Sequence, residues 1–115
     1  MRNNELLKVT FQLALKIIEY SELLEEHKKY VIAKQVLRSG TSVGANCRES
    51  QGAESRADFI HKLKIAYKEA METDYWLTLC KFSNNYPDPN IEVEALLQSS
   101  LKLLGRILSS TKKNK

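Results

Sequence analysis

Turn-forming residues are scarce in this chain, with two prolines and four glycines among 115 residues. A sandwich or barrel of short strands needs them at nearly every reversal, so a turn-rich β fold is excluded. Long apolar runs are missing too: no stretch would span a bilayer, and the opening Met1-Arg2-Asn3-Asn4-Glu5 has no signal-peptide layout. Two cysteines and two histidines give no disulfide framework and few metal ligands. No nucleophile, base and anion-stabilising group fall together in a motif. These absences predict a cytoplasmic, non-enzymatic protein with no cofactor, no metal, no membrane contact and no small-molecule substrate.

What the chain does have is helical periodicity. At 43% hydrophobic and 28% charged residues it has the composition of a globular protein, long enough for one domain, residues 1–115, with a genuine core. Leu7, Phe11, Ala14, Ile18 and Leu24 recur at helical spacing, with Leu6, Leu13 and Ile17 widening the stripe. This predicts a first helix over about 4–25, capped at Asn4. The short polar link Glu26-His27-Lys28-Lys29 leads into a second helix, about 30–52, turning Ala33, Val36, Leu37, Gly40, Val43, Gly44 and Cys47 inward until Gly52 ends it. Ser55-Arg56-Ala57-Asp58 has the form of a capping box for a third helix over 56–82. Its seam, Phe59, Leu63, Ala66, Ala70, Thr73, Leu77 and Cys80, alternates steps of four and three. Asp88-Pro89 predicts the start of a fourth helix over 89–109, with Val93, Leu96, Leu97, Ser100, Leu104, Ile107 and Leu108 inward and a frayed tail over 110–115. Four amphipathic helices on short links predict an all-α, antiparallel, up-and-down four-helix bundle.

Within the second helix, Ser39 to Ala45 are all small or β-branched, and each of the two glycines costs about 1 kcal/mol of helix propensity relative to alanine. Gly40, Val43, Gly44 and Cys47 nevertheless share one face, so they are expected to let a neighbouring helix approach closely. Gly40-x-x-x-Gly44 is one residue short of a phosphate-binding loop and lacks its Lys-Ser/Thr. A second stripe on the third helix, Ile65, Glu69, Glu72, Trp76 and Leu79, is a candidate interface. Its carboxylates would be costly to bury unpaired: either they meet basic residues at a helix or subunit contact, with Arg38, Arg48 and Lys62 as candidate partners, or they lie on a solvated helix face. A di-iron bundle needs two Glu-x-x-His pairs, whereas this chain offers only Asp58-x-x-His61. Cys47 and Cys80 lie at very different distances from the turn between their helices and cannot form an intrachain disulfide. Trp76 and Tyr75 could stack on bases, although an aromatic on such a stripe more often packs at a contact.

The charge is +4 overall, with a pI near 9.1, and it is uneven: residues 27–57 hold six basic and two acidic side chains. A basic face can attract phosphate backbones. Lys28, Lys29, Lys34, Arg38, Arg48, Lys62, Lys64 and Lys68 are the candidates for binding RNA or DNA.

The run Leu37-Arg38-Ser39-Gly40-Thr41-Ser42-Val43-Gly44-Ala45-Asn46, followed by Arg48-Glu49, Asp58-Phe59-Ile60-His61-Lys62 and the stretch Ala66 to Leu77, resembles the bacterial four-helix-bundle protein family. That family is also known as the ribosomal RNA intervening-sequence protein family. The resemblance implies a bundle that assembles as a homo-oligomer, a ring of five being the expected arrangement. It also implies a distant similarity to the accessory variability protein of diversity-generating retroelements, a basic pentamer associated with nucleic acid and a reverse transcriptase. It carries over no catalytic residue. The expectation is therefore a homo-oligomeric helical bundle with a basic surface for nucleic acid. The alternative is a purely structural or protein-interaction module whose charge serves solubility.

Overall fold

The computed structural model describes residues 4–113, and these form four helices: α1 (Asn4–Glu26), α2 (Tyr30–Ser50), α3 (Arg56–Phe82) and α4 (Ile91–Lys113). They pack in chain order around a square, α1 on α2, α2 on α3, α3 on α4 and α4 back on α1, with no close backbone approach across either diagonal among the described residues. Short links between neighbours make the bundle antiparallel. The result is a rod of 48 × 21 × 20 Å.

The α1–α2 reversal turns on Lys28, whose φ of 63° is left-handed. The Lys29 N–H donates to Leu24 O at 2.8 Å and the Lys28 N–H to Glu25 O at 2.9 Å, the paired bonds of a Schellman ending. Glycine usually fills that position, and a side-chain-bearing residue there costs ~1–2 kcal/mol. The α3–α4 loop meets this turn at the same end of the rod. Tyr20 donates its hydroxyl proton to Pro87 O at 2.6 Å, and Lys29 Nζ lies 4.8 Å from the centre of the Tyr86 ring.

Three boundaries differ from the sequence reading. α2 stops at Ser50, where the N–H groups of Gln51, Gly52 and Ala53 each bond three residues back. Gly52 follows the helix without a positive φ, so its special freedom goes unused. α4 begins at Ile91 because Asn90, two residues past Asp88, accepts the Val93 N–H on its side chain at 2.8 Å. The stretch expected to fray continues as helix to Lys113, held by a buried Thr111 whose carbonyl accepts from Arg56 Nη2 at 3.4 Å. At α3 the capping box forms in part. Ser55 Oγ accepts the Asp58 N–H at 3.0 Å, while Asp58 reaches back to the Glu54 N–H, one residue before the cap. Asn4 opens α1 itself; its side chain, the expected cap, lies outside the described ones.

The core is a continuous column of Leu6, Leu13, Ile17 and Leu24 from α1, Val36, Val43 and Cys47 from α2, Leu63, Ala66, Ala70 and Leu77 from α3, and Val93, Leu97 and Leu104 from α4. Each large aliphatic side chain buried there stabilises the fold by about 1.5–3 kcal/mol. Two inward assignments fail. On α1 the row Leu7, Phe11, Ala14, Ile18 lies about a third of a turn off the core, leaving Phe11 62% exposed. Its neighbours α2 and α4 close instead over Leu6, Thr10, Leu13, Ile17, Tyr20 and Leu24. On α2, Leu37 is 41% exposed, because it sits beyond Gly40 on the outer edge of the face that meets α1.

Candidate functional site

α2 makes the two most extensive seams of the bundle, one with α1 and one with α3. Against α1, the small residues do what their spacing suggested. A Cβ built on Gly40 would lie 2.7 Å from both Cγ atoms of the buried Ile17, and one on Gly44 would lie 3.1 Å from the Thr10 carbonyl oxygen. Val43 and Cys47 are fully buried between them. Burial pushes the Cys47 thiol up to about 12 and raises Cys80 as well, so both free thiols stay protonated and inert at neutral pH. Tyr20 is shifted upward by the same cause, with the Cys80 thiol beside it contributing.

Against α3, polar groups set the register. Thr73 Oγ1 lies 2.7 Å from Glu69 O and 2.8 Å from Ser39 Oγ, both hydroxyls being fully buried. Each hydroxyl has one proton, so Thr73 donates to the carbonyl and Ser39 donates to Thr73. Nearer the surface the Arg38 guanidinium forks between two carboxylates, with Nη1 3.1 Å from Glu69 Oε1 and Nη2 against Glu72 Oε2. Trp76 donates its indole N–H to the same Glu72 oxygen at 3.0 Å. Arg38 also reaches Gln35 Oε1. With half of Arg38 exposed, each pair contributes no more than about 1 kcal/mol, so its effect is more on helix register than on stability.

The structure therefore divides the sequence-derived candidates. Ile65, Glu69, Glu72 and Trp76 line the α2–α3 seam half-buried, whereas Leu79 at the end of that stripe is exposed. Of the basic candidates, Arg38 is engaged as described and Lys62 Nζ pairs with Glu49 at 3.0 Å, a contact that raises its pKa. Lys28 and Lys29 lie in the α1–α2 turn. Lys34, Arg48, Lys64 and Lys68 are exposed and form no ion pair with another described residue. The eight do not converge, since Arg48 faces the α1 side of α2 while Lys64 and Lys68 lie on the outer face of α3. No group of three or more potential metal ligands occurs among the described residues, and no described helix is long and apolar enough to cross a membrane.

One feature was not read from the sequence. Leu7, Thr10, Phe11 and Ala14 on α1 and Thr41, Gly44, Ala45 and Arg48 on α2 line a mostly apolar open groove of about 250 Å³. The signal for it was present: α1 carries two apolar rows, more than one core seam can use. On α3, Tyr75 and Trp76 stack at a tilt, 5.6 Å between ring centres, and Tyr75 is 59% exposed.

Comparison with solved structures finds a protein with unknown function from the S23 ribosomal protein family of Bacteroides thetaiotaomicron VPI-5482. It is 41% identical, covers 90% of this chain and 97% of its own length, and superimposes with a TM-score of 0.81. No similar protein is found among curated proteins. The model of the 23S rRNA-intervening sequence protein family matches residues 2–110, and with the two helical seams and the full-length structural match in place, the chain belongs to that family.

Proposed function

We propose that this protein is a non-enzymatic, cytoplasmic helical scaffold that assembles with copies of itself and offers a basic surface to nucleic acid. The observation that carries the first half is the distribution of uncovered apolar side chains. Phe11, Ile18 and Leu37 project from α1 and α2, where Phe11 lines a mostly apolar groove, and Tyr75, Leu79 and Phe82 form a second exposed row on α3. Scattered surface leucines need no explanation, but aligned apolar rows and an apolar groove mark contact surfaces. A ring of five is the arrangement that the family resemblance implies. Support for the nucleic-acid half is the +4 charge and the exposed Lys34, Arg48, Lys64 and Lys68, which form no ion pair with another described residue.

Electrophoretic shift with RNA and DNA probes across a salt series tests that half. Binding that weakens steeply with salt is expected, through counterion release from phosphates. Absence of any shift at low salt would remove nucleic acid and favour the second reading, a protein-interaction module resting on the same apolar rows.

A further inference from the structure

We infer that the basic surface is one face, the outer side of the α3–α4 pair, where Lys64, Lys68, Lys102, Arg106 and Lys112 take the phosphate backbone of a nucleic-acid duplex without reading its bases. This rests on the nucleic-acid half of the function proposed above and adds where the ligand lies and which form of it is held.

Two contacts fix the register of the antiparallel α3 and α4. Gln98 Nε2 donates to Asp74 Oδ1 at 3.3 Å, and Gly105 lies against Tyr67, whose Cε1 is 3.9 Å from a Cβ built on that glycine. Stepping from these contacts along both helices puts Lys68 level with Leu104, between Lys102 and Arg106. Lys64 falls level with Leu108, between Arg106 and Lys112. All five basic side chains are exposed, and none forms an ion pair with another described residue. They alternate between the two helices over the stretch from Lys102 to Lys112, about 15 Å at 1.5 Å per residue. The excess of charge at residues 27–57 pointed elsewhere, because α4 joins this face only once the bundle is folded.

Residues 59–68 and 95–112 contain no Asp or Glu, so nothing on these stretches offsets the five cations. Neighbouring carboxylates are turned away or engaged. Glu69 and Glu72 lie on the α2 side of α3 and bind Arg38; Glu72 is one turn from Lys68, which makes Lys68 the edge of the patch. Asp74 accepts from Gln98, one turn beyond Lys102. The opposite end of the rod is acidic, with Glu19, Glu22, Glu26 and Asp88 around a surface pocket, so a polyanion is drawn to the basic end and repelled from the other. The form of the ligand follows from what accompanies the charges. No exposed aromatic ring lies among them, Tyr75 being seven residues past Lys68, about 10.5 Å, so unpaired bases find no stacking platform. A single exposed Met71 beside Lys68 offers little to bury in a bilayer. On a duplex laid along the rod, 15 Å of axis carries about four phosphates of the near strand at 3.4 Å each, which five cations can meet. Contacts of this kind carry no sequence information.

The test is fluorescence anisotropy of a short labelled DNA duplex of random sequence, and of one of its strands alone, titrated with the protein across a salt series. The duplex is expected to bind more tightly than the strand. The double variant Lys64→Gln, Arg106→Gln is expected to flatten the dependence of log affinity on log salt by at least about 2, close to one for each lost phosphate contact. The double variant Lys34→Gln, Arg48→Gln removes the same charge from α2 and should leave that slope unchanged. All four positions are exposed and glutamine is a good helix former, so circular dichroism of both variants should match the unaltered protein. Equal flattening by the two double variants, no flattening by the first, or a strand that binds more tightly than the duplex overturns this face and its ligand while leaving nucleic-acid binding standing. An unaltered protein that binds neither probe at low salt overturns both.

Discussion

α2 and α4 occupy opposite corners of the bundle at similar length, 21 and 23 residues, yet they meet their surroundings differently. α4 turns Val93, Leu97, Ser100 and Leu104 inward and, past an exposed Ile91 at its first residue, presents Ala95, Ser99, Lys102, Arg106 and Ser109 outward. α2 has the same kind of inner row, but its outer positions include Val31, Leu37 and Ala45. The glycines differ as well. A Cβ on Gly105 of α4 would meet nothing closer than Tyr67 Cε1 at 3.9 Å, whereas one on Gly40 would collide with Ile17. The same residue type is a spacer in one helix and incidental in the other. What decides is the helix packed opposite, which local sequence does not name.

The largest effect tests what the two helices share. Leu97→Ala on α4 should destabilise by about 2–5 kcal/mol, the range for a fully buried leucine, measured by denaturant unfolding. A loss below about 1 kcal/mol would mean that α4 is peripheral to the core. Next, Thr73→Val removes the acceptor of the buried Ser39 hydroxyl and should cost about 1–3 kcal/mol. Adding Ser39→Ala should recover part of that loss; a double mutant that only sums the two single costs would show the hydroxyls to be uncoupled.

The glycines sharpen the comparison by sign. Gly40→Ala should destabilise by about 1–2 kcal/mol, because overpacking costs ~1–3 and the better helix former returns up to ~1. Gly105→Ala should instead stabilise by about 0.5–1 kcal/mol. Equal signs in thermal melts would refute the contrast. The smallest effect belongs to the half-exposed ion pairs. Glu72→Gln should cost less than about 1 kcal/mol, and a loss of several would show that the Arg38 fork holds the seam together.

Much of the fold was legible because burial imposes a period. The α3 seam from Leu63 to Cys80 is buried at every predicted position, and the small face of α2 packs as its spacing required. The misses have specific causes. On α1 two apolar rows competed, and only the placement of α2 and α4 selects Leu6, Leu13 and Ile17 over Phe11 and Ile18. At α4 both Asp88 and Asn90 are good caps, and Asn90 wins by bonding the Val93 N–H. The Arg38–Glu69–Glu72 cluster was readable as charges in need of partners, while the groove needed two helices in register before it existed.

Self-association through the rows that α1, α2 and α3 leave uncovered is tested most directly by the mass of the unaltered protein in solution. Light scattering should give a multiple of 13.2 kDa that persists at high salt, since apolar contacts are not screened. A mass of 13.2 kDa at the highest soluble concentration would contradict it.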